Sequence, residues 1–362
     1  MVKSYAVIMA GGVGARFWPR SRERSPKQLL EIIDKESLLR STVRRLSGLM
    51  DQDRVYIVTN KTQKSLIQKH IPELSPHSLI IEPLGRNTAA CIGLAALHVK
   101  KADPKAVMVV LPADHIIDDV PEFHRVVRLA VEVADESGSL ITIGIHPTHP
   151  ETGYGYIQMI DEDDGTNPYF TRGVFKVKTF AEKPNVPTAE RFIESGDFLW
   201  NSGMFVWRTD AILQEIQRRL PDLHRELSNI EPSLGTDKYQ STLDLAYGMI
   251  RGISIDYGVM EKTDRAYVIR GKFGWSDVGS WDELYRLAQK DAQGNHATGK
   301  VLLKETKNTL IHSVNQFVAA VGVENLIIVA TDDAVLVCKR ERSQDVKEIV
   351  DYLKRKQMND YL

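Results

Sequence analysis

The regular alternation of two hydrophobic periodicities over about the first 145 residues constrains the fold most strongly. Short runs rich in Val, Ile and Leu predict strands, and longer segments with apolar residues at helical spacing predict helices between them. The predicted strands are Ser4–Ala10, Arg54–Thr59, Ser78–Glu82, Ala106–Leu111 and Ser139–Ile145, and the predicted helices lie near 37–50, 61–71, 87–101 and 120–136. This alternation predicts an α/β fold with a parallel sheet covered on both faces. Because ligands of such sheets bind at the carboxyl ends of strands, we expect a site just after residues 10, 82 and 111.

After about residue 150 the pattern predicts a mixed region and then a small β module. The mixed region has predicted strands at Tyr154–Ile160, Val174–Phe180 and 264–270, and helices near 187–195, 209–219, 236–249 and 280–289. Short apolar runs at nearly regular spacing follow, which is typical of an all-β module or of solenoid turns. They are Lys300–Leu303, Thr309–His312, Phe317–Val321, Leu326–Ala330 and Ala334–Cys338, with a charged helix from 342 to about 357. Because residues 290–298 are polar and rich in turn formers, we expect a catalytic domain over 1–292 and a β module over 293–362.

Composition excludes several classes of protein. The 362 residues are 43% hydrophobic and 26% charged, which is typical of a globular chain and argues against disorder. Lys+Arg number 47 and Asp+Glu 48, so no basic excess indicates nucleic acid or an anionic membrane as a partner. Cys91 and Cys338 form no metal-binding motif, and no apolar run is long enough for a signal peptide or a membrane span. We therefore expect a cytoplasmic protein.

A glycine-rich segment directly after the first predicted strand is the strongest sign of chemistry. Its sequence is Ala10-Gly-Gly-Val-Gly-Ala-Arg-Phe-Trp-Pro, and Ser25-Pro-Lys-Gln follows. Gly11, Gly12 and Gly14 allow backbone N–H groups to approach phosphate oxygens, and Arg16 and Lys27 add positive charge. The segment lacks the Gly-Lys-[Ser/Thr] of a Walker A loop and the third glycine of a dinucleotide fingerprint. We therefore expect a phosphate-binding loop of another kind.

This segment resembles the signature of the sugar-1-phosphate nucleotidyltransferases, and further stretches look like the mannose-1-phosphate guanylyltransferase branch of that family. These stretches are Glu82-Pro-Leu-Gly-Arg-Asn-Thr-Ala, Leu111-Pro-Ala-Asp-His, Phe180-Ala-Glu-Lys-Pro, Trp200-Asn-Ser-Gly-Met-Phe, Ser254-Ile-Asp-Tyr-Gly-Val-Met-Glu and Trp275-Ser-Asp-Val-Gly-Ser-Trp. The resemblance implies a Rossmann-like nucleotidyltransferase domain with a mixed, mainly parallel sheet, and a small C-terminal β module of the left-handed β-helix type. It also implies transfer of GMP from GTP to mannose 1-phosphate, and a homodimer. We expect a monofunctional form without the isomerase domain of longer bifunctional relatives.

In that family an oxygen of the sugar phosphate attacks the α-phosphorus of the nucleotide, and pyrophosphate leaves. The protein places two polyanions in line and neutralises their charge. The resemblance implies that Mg²⁺ or another divalent cation is held by Asp114 and Asp277, whose carboxylates are the hard ligands that such an ion prefers. From the sequence alone, each aspartate could also be the N-cap of the helix that follows it.

The remaining roles also come from the resemblance. Arg16 and Lys27 would contact the triphosphate, and Lys183 would hold the phosphate of the sugar. The nucleotide-binding residues would be Ala10, Gly11, Gly12, Gly14, Gly85, Asn87 and Thr88. The residues that bind the sugar phosphate would be Gly153, Glu182, Lys183, Asn201 and Asp256, the last as a partner that orients the site. Asn87 and Thr88 are also suitable helix caps, and Gly153 is also suitable for a turn into a strand.

Other interpretations are weaker or stay open. His115 is not expected to act as a base, because a phosphate monoester is already ionised at neutral pH. Cys91 lies in an apolar helical stretch and is expected to be a core residue. The same chemistry with another sugar 1-phosphate or nucleotide remains an alternative, as does a non-catalytic nucleotide-sugar sensor. The charged residues of the family motifs are all present, which disfavours the sensor, and the missing glycine fingerprint disfavours a nicotinamide dehydrogenase.

Overall fold

The computed structural model describes residues 3–32 and 35–362. Its strands are β1 (Ser4–Met9), β2 (Val55–Asn60), β3 (Leu79–Glu82), β4 (Val107–Pro112), β5 (Ile116–Ile117), β6 (Leu140–Ile145), β7 (Gly155–Ile160), β8 (Val174–Glu182), β9 (Phe198–Arg208), β10 (Ala266–Gly271), β11 (Trp275–Ser276), β12 (His296–Lys304), β13 (Leu310–Val321), β14 (Leu326–Ala330) and β15 (Val335–Lys339). Its α-helices are α1 (Leu38–Arg44), α2 (Lys61–His70), α3 (Asn87–Ala102), α4 (Val120–Ser137), α5 (Val186–Ser195), α6 (Thr209–Arg219), α7 (Pro221–Ile230), α8 (Tyr239–Met249), α9 (Trp281–Leu287) and α10 (Val346–Arg355).

A nine-stranded sheet forms the centre of the larger domain, in the order β3-β2-β1-β4-β9-β6-β10-β8-β7. The first four strands in this order are parallel to one another, as the alternation of strands and helices predicts. Strand β9 runs antiparallel between β4 and β6, and β8 is antiparallel to β10 and β7. The α/β fold with a mixed sheet is therefore confirmed.

The sheet is apolar on both faces because its side chains alternate between two packed layers. In β1, Tyr5 and Val7 face the layer that contains α3, α6, α7 and α8, whereas Ala6 and Ile8 face the layer that contains α1, α2 and α4. Each Val or Ile that is fully buried in this way contributes roughly 1.5–3 kcal/mol. This two-sided burial explains why the strands of the first half carry continuous apolar runs.

Strand β9 and helix α7 do not follow from the sequence patterns. Strand β9 carries the polar run Asn201-Ser-Gly203 in its middle, where its register with β6 shifts and Gly203 has a φ of 69°. Because of this irregularity, the spacing of apolar residues does not predict the strand. Helix α7 begins at Pro221, directly after α6 ends at Arg219, and proline suits the first turn of a new helix.

The C-terminal module is a four-stranded sheet, β12-β13-β14-β15, that is parallel except for β15. The two short strands predicted at Thr309–His312 and Phe317–Val321 are parts of one strand, β13, because the ladder to β12 continues through both after a register shift. The last helix is shorter than predicted, since Arg340–Asp345 forms a 3₁₀ segment before α10.

A third apolar cluster joins this module to the catalytic domain. It combines Phe17, Trp18 and Trp281 of the larger domain with residues of β13, β14 and α10, among them Leu310 and Val350. Phe17 and Trp18 belong to the glycine-rich segment, so the core of the module lies directly against that segment. Within the described part of the chain, no helix has the length and apolar character needed to cross a membrane.

Candidate active site

A cleft of about 540 Å³ opens where the carboxyl ends of β1, β3 and β4 meet. The predicted site residues on its wall are Gly11, Gly12, Gly85, Asn87, Thr88, Gly153, Glu182, Lys183, Asn201, Asp256 and Asp277. Arg16 lines a smaller adjoining pocket that shares Gly153, Tyr154 and Asp277 with the cleft. The other four predicted residues, Ala10, Gly14, Lys27 and Asp114, do not line the cleft, but Lys27 bonds to Asp114 and to the backbone of Asp277, which does. The fold thus brings residues from six separate motifs to one place.

The glycine-rich segment is supported from beneath by buried polar side chains. The Gln28 side chain donates to the backbone carbonyls of Ala10 and Gly12 at 3.2 and 3.0 Å, while the Ala10 N–H donates to the Val58 carbonyl at 2.8 Å. Gly14 has a φ of 81°, and a Cβ there would collide with the side chain of Lys27. Glycine is therefore required at this position for both backbone conformation and space.

Lys27 connects the two predicted metal-binding segments. Its side chain is 6% exposed, and Nζ donates to Asp114 Oδ2 at 2.7 Å and to the backbone carbonyl of Asp277 at 2.6 Å. Burial alone would raise the pKa of Asp114, but the ammonium of Lys27 outweighs burial and holds this pKa below its usual value. The Asp277 carboxylate accepts from the Tyr154 hydroxyl at 2.6 Å.

The helix-cap explanation of both aspartates is wrong. The N-cap of α4 is Asp119, whose side chain accepts from Glu122 N, and the N-cap of α9 is Ser280, which accepts from Glu283 N. Asp114 and Asp277 therefore lie in the site for a reason other than helix capping.

The donor set of the two aspartates fits a magnesium ion. The hydrogen bonds found among the described residues use Asp114 Oδ2 and Asp277 Oδ1, which leaves the second oxygen of each carboxylate for another ligand. No group of three or more His, Cys, Asp or Glu side chains suited to a metal occurs in 3–32 or 35–362. Magnesium commonly binds through one or two carboxylates and completes its shell with water and phosphate oxygens, so two protein ligands suffice.

The opposite side of the cleft carries a second polar group. Asn201 Nδ2 donates to Asp256 Oδ1 at 2.7 Å, and the Asn201 side-chain oxygen accepts from Gly203 N at 3.1 Å, so the amide is held in one orientation. Burial, together with the charge of Asp256, raises the pKa of Glu182. A Cβ on Gly155 would collide with Glu182 Oε1, so glycine at 155 makes room for this carboxylate.

The N-terminus of α3 faces the cleft through Asn87 and Thr88. The Asn87 oxygen accepts from Thr88 N and the Thr88 hydroxyl accepts from Ile255 N, both at 2.8 Å, while the helix itself has no side-chain N-cap. Asn87 has a φ of 65°, which is uncommon for a residue other than glycine. An uncapped helix N-terminus in a cleft favours an anionic or polar ligand.

Sequence reasoning missed Glu82 and Tyr154, which also line the cleft. Glu82 is the last residue of β3, and its Oε1 accepts from the Tyr247 hydroxyl at 3.0 Å. Burial raises the pKa of Glu82 from 4.5 to about 7. The sequence does contain a signal for Glu82. It is a carboxylate at the carboxyl end of an apolar strand, and that strand is predicted to lie in the same sheet as the strand before the glycine-rich segment.

Two residues next to the chemistry are packed and uncharged. Burial lowers the pKa of His115 to about 4, and its Nδ1 accepts from Trp275 Nε1 at 3.1 Å, so the ring is neutral at pH 7. Cys91 is buried in α3, and burial raises the pKa of its thiol well above the usual value. An imidazole with so low a pKa is a weak base, and the Cys91 thiol is not ionised at neutral pH, so neither side chain is suited to act as a catalytic base or nucleophile.

Two family models match this chain. Residues 5–294 match the model of the nucleotidyl transferase family, and residues 299–353 match that of the MannoseP isomerase/GMP-like beta-helix domain. The fold and the matched family define a nucleotidyltransferase with a C-terminal β-helix-like domain.

Individual relatives show which branch of this family the chain resembles. A mannose-1-phosphate guanylyltransferase of Klebsiella pneumoniae is 43% identical over 98% of this chain and 75% of its own length. A crystal structure from Thermus thermophilus, described as a mannose-1-phosphate geranyltransferase, has a TM-score of 0.86 and 32% identity over 98% of this chain and 100% of that one. A structure described as a mannose-6-phosphate isomerase from Helicobacter pylori has a TM-score of 0.61 and 27% identity, covering 76% of this chain and 100% of that one. The chain belongs to the family of mannose-1-phosphate guanylyltransferases.

Proposed function

We propose that this protein transfers GMP from GTP to mannose 1-phosphate, with formation of GDP-mannose and release of pyrophosphate. The observation that carries the proposal is the buried Lys27, which joins Asp114 and the Asp277 segment beside the glycine loop. A buried cation that bonds to both predicted metal-binding segments, next to the glycine-rich segment, suits a site that must hold a triphosphate and an ion together. The family relationship supports the choice of substrates.

In the proposed reaction, a phosphate oxygen of mannose 1-phosphate forms a bond to the α-phosphorus of GTP as the bond to the β-phosphate oxygen breaks. The nucleophile is already ionised at neutral pH, so no protein base has to remove a proton. Arg16 and Lys27 neutralise the charge that develops on the leaving pyrophosphate, which is the main contribution that a protein makes to such transfers. Asp114 and Asp277 would hold Mg²⁺, which shields phosphate charge when it is bound.

The sugar phosphate would occupy the side of the cleft formed by β7, β8 and β9. Lys183 is half-exposed at the mouth and would pair with its phosphate, while Glu182 and Asn201 would accept and donate hydrogen bonds to its hydroxyls. Asp256 holds the Asn201 amide, so its role would be to orient the amide rather than to touch the sugar. Gly153 would bring backbone close to the ligand.

We propose that Glu82 selects guanine, with Gly85, Asn87 and Thr88 holding the base and ribose beside it. Guanine presents two neighbouring N–H donors at its Watson–Crick edge, and a carboxylate can accept both. Adenine presents an acceptor there, which would face the carboxylate unpaired, and unpaired buried polar groups are strongly disfavoured. The carboxylate of Glu82 lies beside the glycine loop, 3.8 Å from the position of a Cβ on Gly11.

A pyrophosphate-release assay tests the proposal. Mannose 1-phosphate and glucose 1-phosphate are each combined with GTP, ATP, UTP, dTTP and CTP, with Mg²⁺ or with a chelator. We expect release with GTP and mannose 1-phosphate, and its loss on chelation. Release with another pair would show that the residues assigned to the base or the sugar are assigned wrongly. No release with any pair would favour a non-catalytic nucleotide-sugar sensor. A parallel assay for isomerisation of mannose 6-phosphate tests the function named for the Helicobacter pylori structure.

We also propose a division into a catalytic domain over 1–292 and a β module over 293–362, a homodimer and a cytoplasmic location. The two matched models meet between residues 294 and 299, which supports the division.

The module exposes several large apolar side chains that a second copy could cover, namely Leu302, Phe317, Val321, Val335 and Val337. Light scattering at two protein concentrations tests the dimer, with a single monomeric mass as the contrary result, and cell fractionation tests the location.

A further inference from the structure

The C-terminal module holds the glycine-rich segment through one buried arginine. The side chain of Arg22 is 4% exposed, and its two terminal nitrogens donate to both carboxylate oxygens of Asp333 at 2.6 and 2.7 Å. Asp333 lies in the turn between β14 and β15, more than 300 positions away in the chain. Arg22 also donates to the backbone carbonyls of Pro19 and Asp360 at 2.9 and 3.3 Å. The guanidinium therefore joins the segment to the module and to the C-terminal residues.

A second contact reinforces the same junction. Trp18 Nε1 donates to the Tyr361 carbonyl at 2.8 Å, and Trp281 Nε1 donates to the Trp18 carbonyl at 3.1 Å. The ring of Phe17 packs on Trp281, with 4.8 Å between the ring centroids. Trp281 begins α9, four residues after Asp277. The junction thus fixes the glycine segment relative to the second proposed metal ligand.

The segment depends on these contacts because it has little regular structure of its own. Between Gly11 and Lys27 it contains a single 3₁₀ turn at Ala15–Phe17 and an isolated bridge between Arg22 and Ser25. Arg16, which lies in that turn, has a buried Nε with no hydrogen-bond partner among the residues described. Its position is therefore determined by the backbone around it, which Arg22 and Trp18 hold in place.

We infer that Arg22 and Asp333 are a positioning pair for nucleotidyl transfer, through which the β module holds Arg16 and Lys27 in place for the triphosphate. This inference rests on the proposed function. Neither residue lines the cleft, and none of the side-chain hydrogen-bond partners found for them among the described residues does, so neither is expected to touch a substrate. A displacement of about 1 Å in a positioning group can reduce the rate of a transfer by roughly 10²-fold, so a loosened segment should be visible in kinetics.

The pair is tested with Asp333→Asn, Asp333→Ala and Arg22→Lys in the full-length protein. Lysine keeps the charge of Arg22 but loses the planar fork that binds both carboxylate oxygens. We expect kcat/KM for GTP to fall roughly tenfold or more in each variant, with the KM for mannose 1-phosphate within about twofold of the wild type. The reason for this split is that the proposed sugar site is built on β7–β9 and has no contact with Arg22.

Arg24→Ala is the matched control. Arg24 reaches the same Asp333 carboxylate at 3.4 Å, but its side chain is 70% exposed, so its removal should leave all kinetic constants unchanged. A double-mutant cycle adds a second check. The double variant Arg22→Ala with Asp333→Ala should be no worse than Arg22→Ala alone, because both substitutions break one interaction.

Three results would overturn the inference. The first is a fall in kcat alone that matches the fraction of unfolded protein in thermal melts. The second is an equal rise of both KM values, and the third is additive losses in the cycle. Calorimetric titration with inorganic tripolyphosphate separates this inference from the proposed function, because it probes the phosphate loop without turnover. Weaker tripolyphosphate binding in Asp333→Ala supports the pair even where the wild type releases no pyrophosphate, and unchanged binding contradicts it.

Discussion

The charged side chains on the two sides of the cleft differ in how firmly the surrounding structure holds them. On the side proposed for the triphosphate, Lys27 is almost fully buried and bonded to two separate segments, and the β module packs against the glycine-rich segment. On the side proposed for the sugar phosphate, Lys183 has a side chain that is 55% exposed and pairs with its neighbour Glu182 at 3.4 Å. Charges interact strongly where water is excluded and weakly where salt can screen them. We therefore expect the first side to be preorganised for the transfer step, whereas the second mainly contributes to binding.

The largest effect is expected from Asp114→Asn on the preorganised side. Loss of this carboxylate removes a proposed ligand of Mg²⁺ and the partner of a buried lysine, so kcat should fall by roughly 10³-fold. Steady-state pyrophosphate release across a magnesium titration measures this. Asp118→Asn, at an exposed aspartate on the same segment, is the control and should retain activity. Near wild-type activity in Asp114→Asn would exclude the metal assignment.

Lys183→Met should change binding on the exposed side instead. A charge-assisted hydrogen bond to phosphate contributes about 1.5–3 kcal/mol, so the KM for mannose 1-phosphate should rise roughly 10- to 100-fold. The KM for GTP should change little, and the difference between variant and wild type should shrink at high salt because the site is exposed. A variant that loses affinity for GTP to the same extent would contradict the division of the cleft into two sides.

Glu82→Gln should reduce the preference for GTP over ATP by roughly 10- to 100-fold, as expected for one bidentate contact to a base. The pH dependence sharpens this test. The pKa of Glu82 is raised to about 7, so the neutral acid predominates below pH 7 and must lose its proton to accept both guanine donors. GTP affinity should therefore increase as the pH rises from 6 to 8, and this increase should be much smaller in Glu82→Gln, where only the phosphate groups of GTP still titrate.

The free energy of unfolding of the nucleotide-free protein should decrease as the pH rises, whereas the GTP affinity should increase. Because the folded state raises the pKa of Glu82 from 4.5 to about 7, the stabilisation from the neutral acid is complete below 4.5 and is lost as the pH rises through 7. Urea unfolding at pH 5 and pH 8, in the wild type and in Glu82→Gln, measures the difference. An equal pH dependence in both proteins would show that Glu82 is not its source.

Tyr154→Phe should have the smallest effect of the series. The Tyr154 hydroxyl orients the Asp277 carboxylate through one hydrogen bond, so its loss should raise the magnesium concentration for half-maximal activity about tenfold. Saturating magnesium should restore most of the rate. A loss that magnesium does not restore would indicate that Tyr154 contacts the substrates directly.

Much of the site could be expected from residue types and their order. Gly14, Lys27 and the strand ends at Met9 and Pro112 are local features, and local periodicity places them at one edge of a parallel sheet. Glu82 ends a predicted strand at the same edge, but its burial and its hydrogen bond to Tyr247, 165 positions away, exist only in the folded chain. The N-cap alternative for Asp114 could not be dismissed from the sequence, because Asp119 five residues later is an equally suitable cap.

The sequence by itself determined the α/β class, the strands of the parallel half and the glycine loop, since these depend on periodicities and turn residues within about ten positions. Only the tertiary structure decided the insertion of β9 between β4 and β6, the bond from Lys27 to Asp114, and the pairing of Arg22 with Asp333. These contacts join residues that are tens to hundreds of positions apart. Their free energy depends on burial, and burial is a property of the folded chain rather than of any one segment.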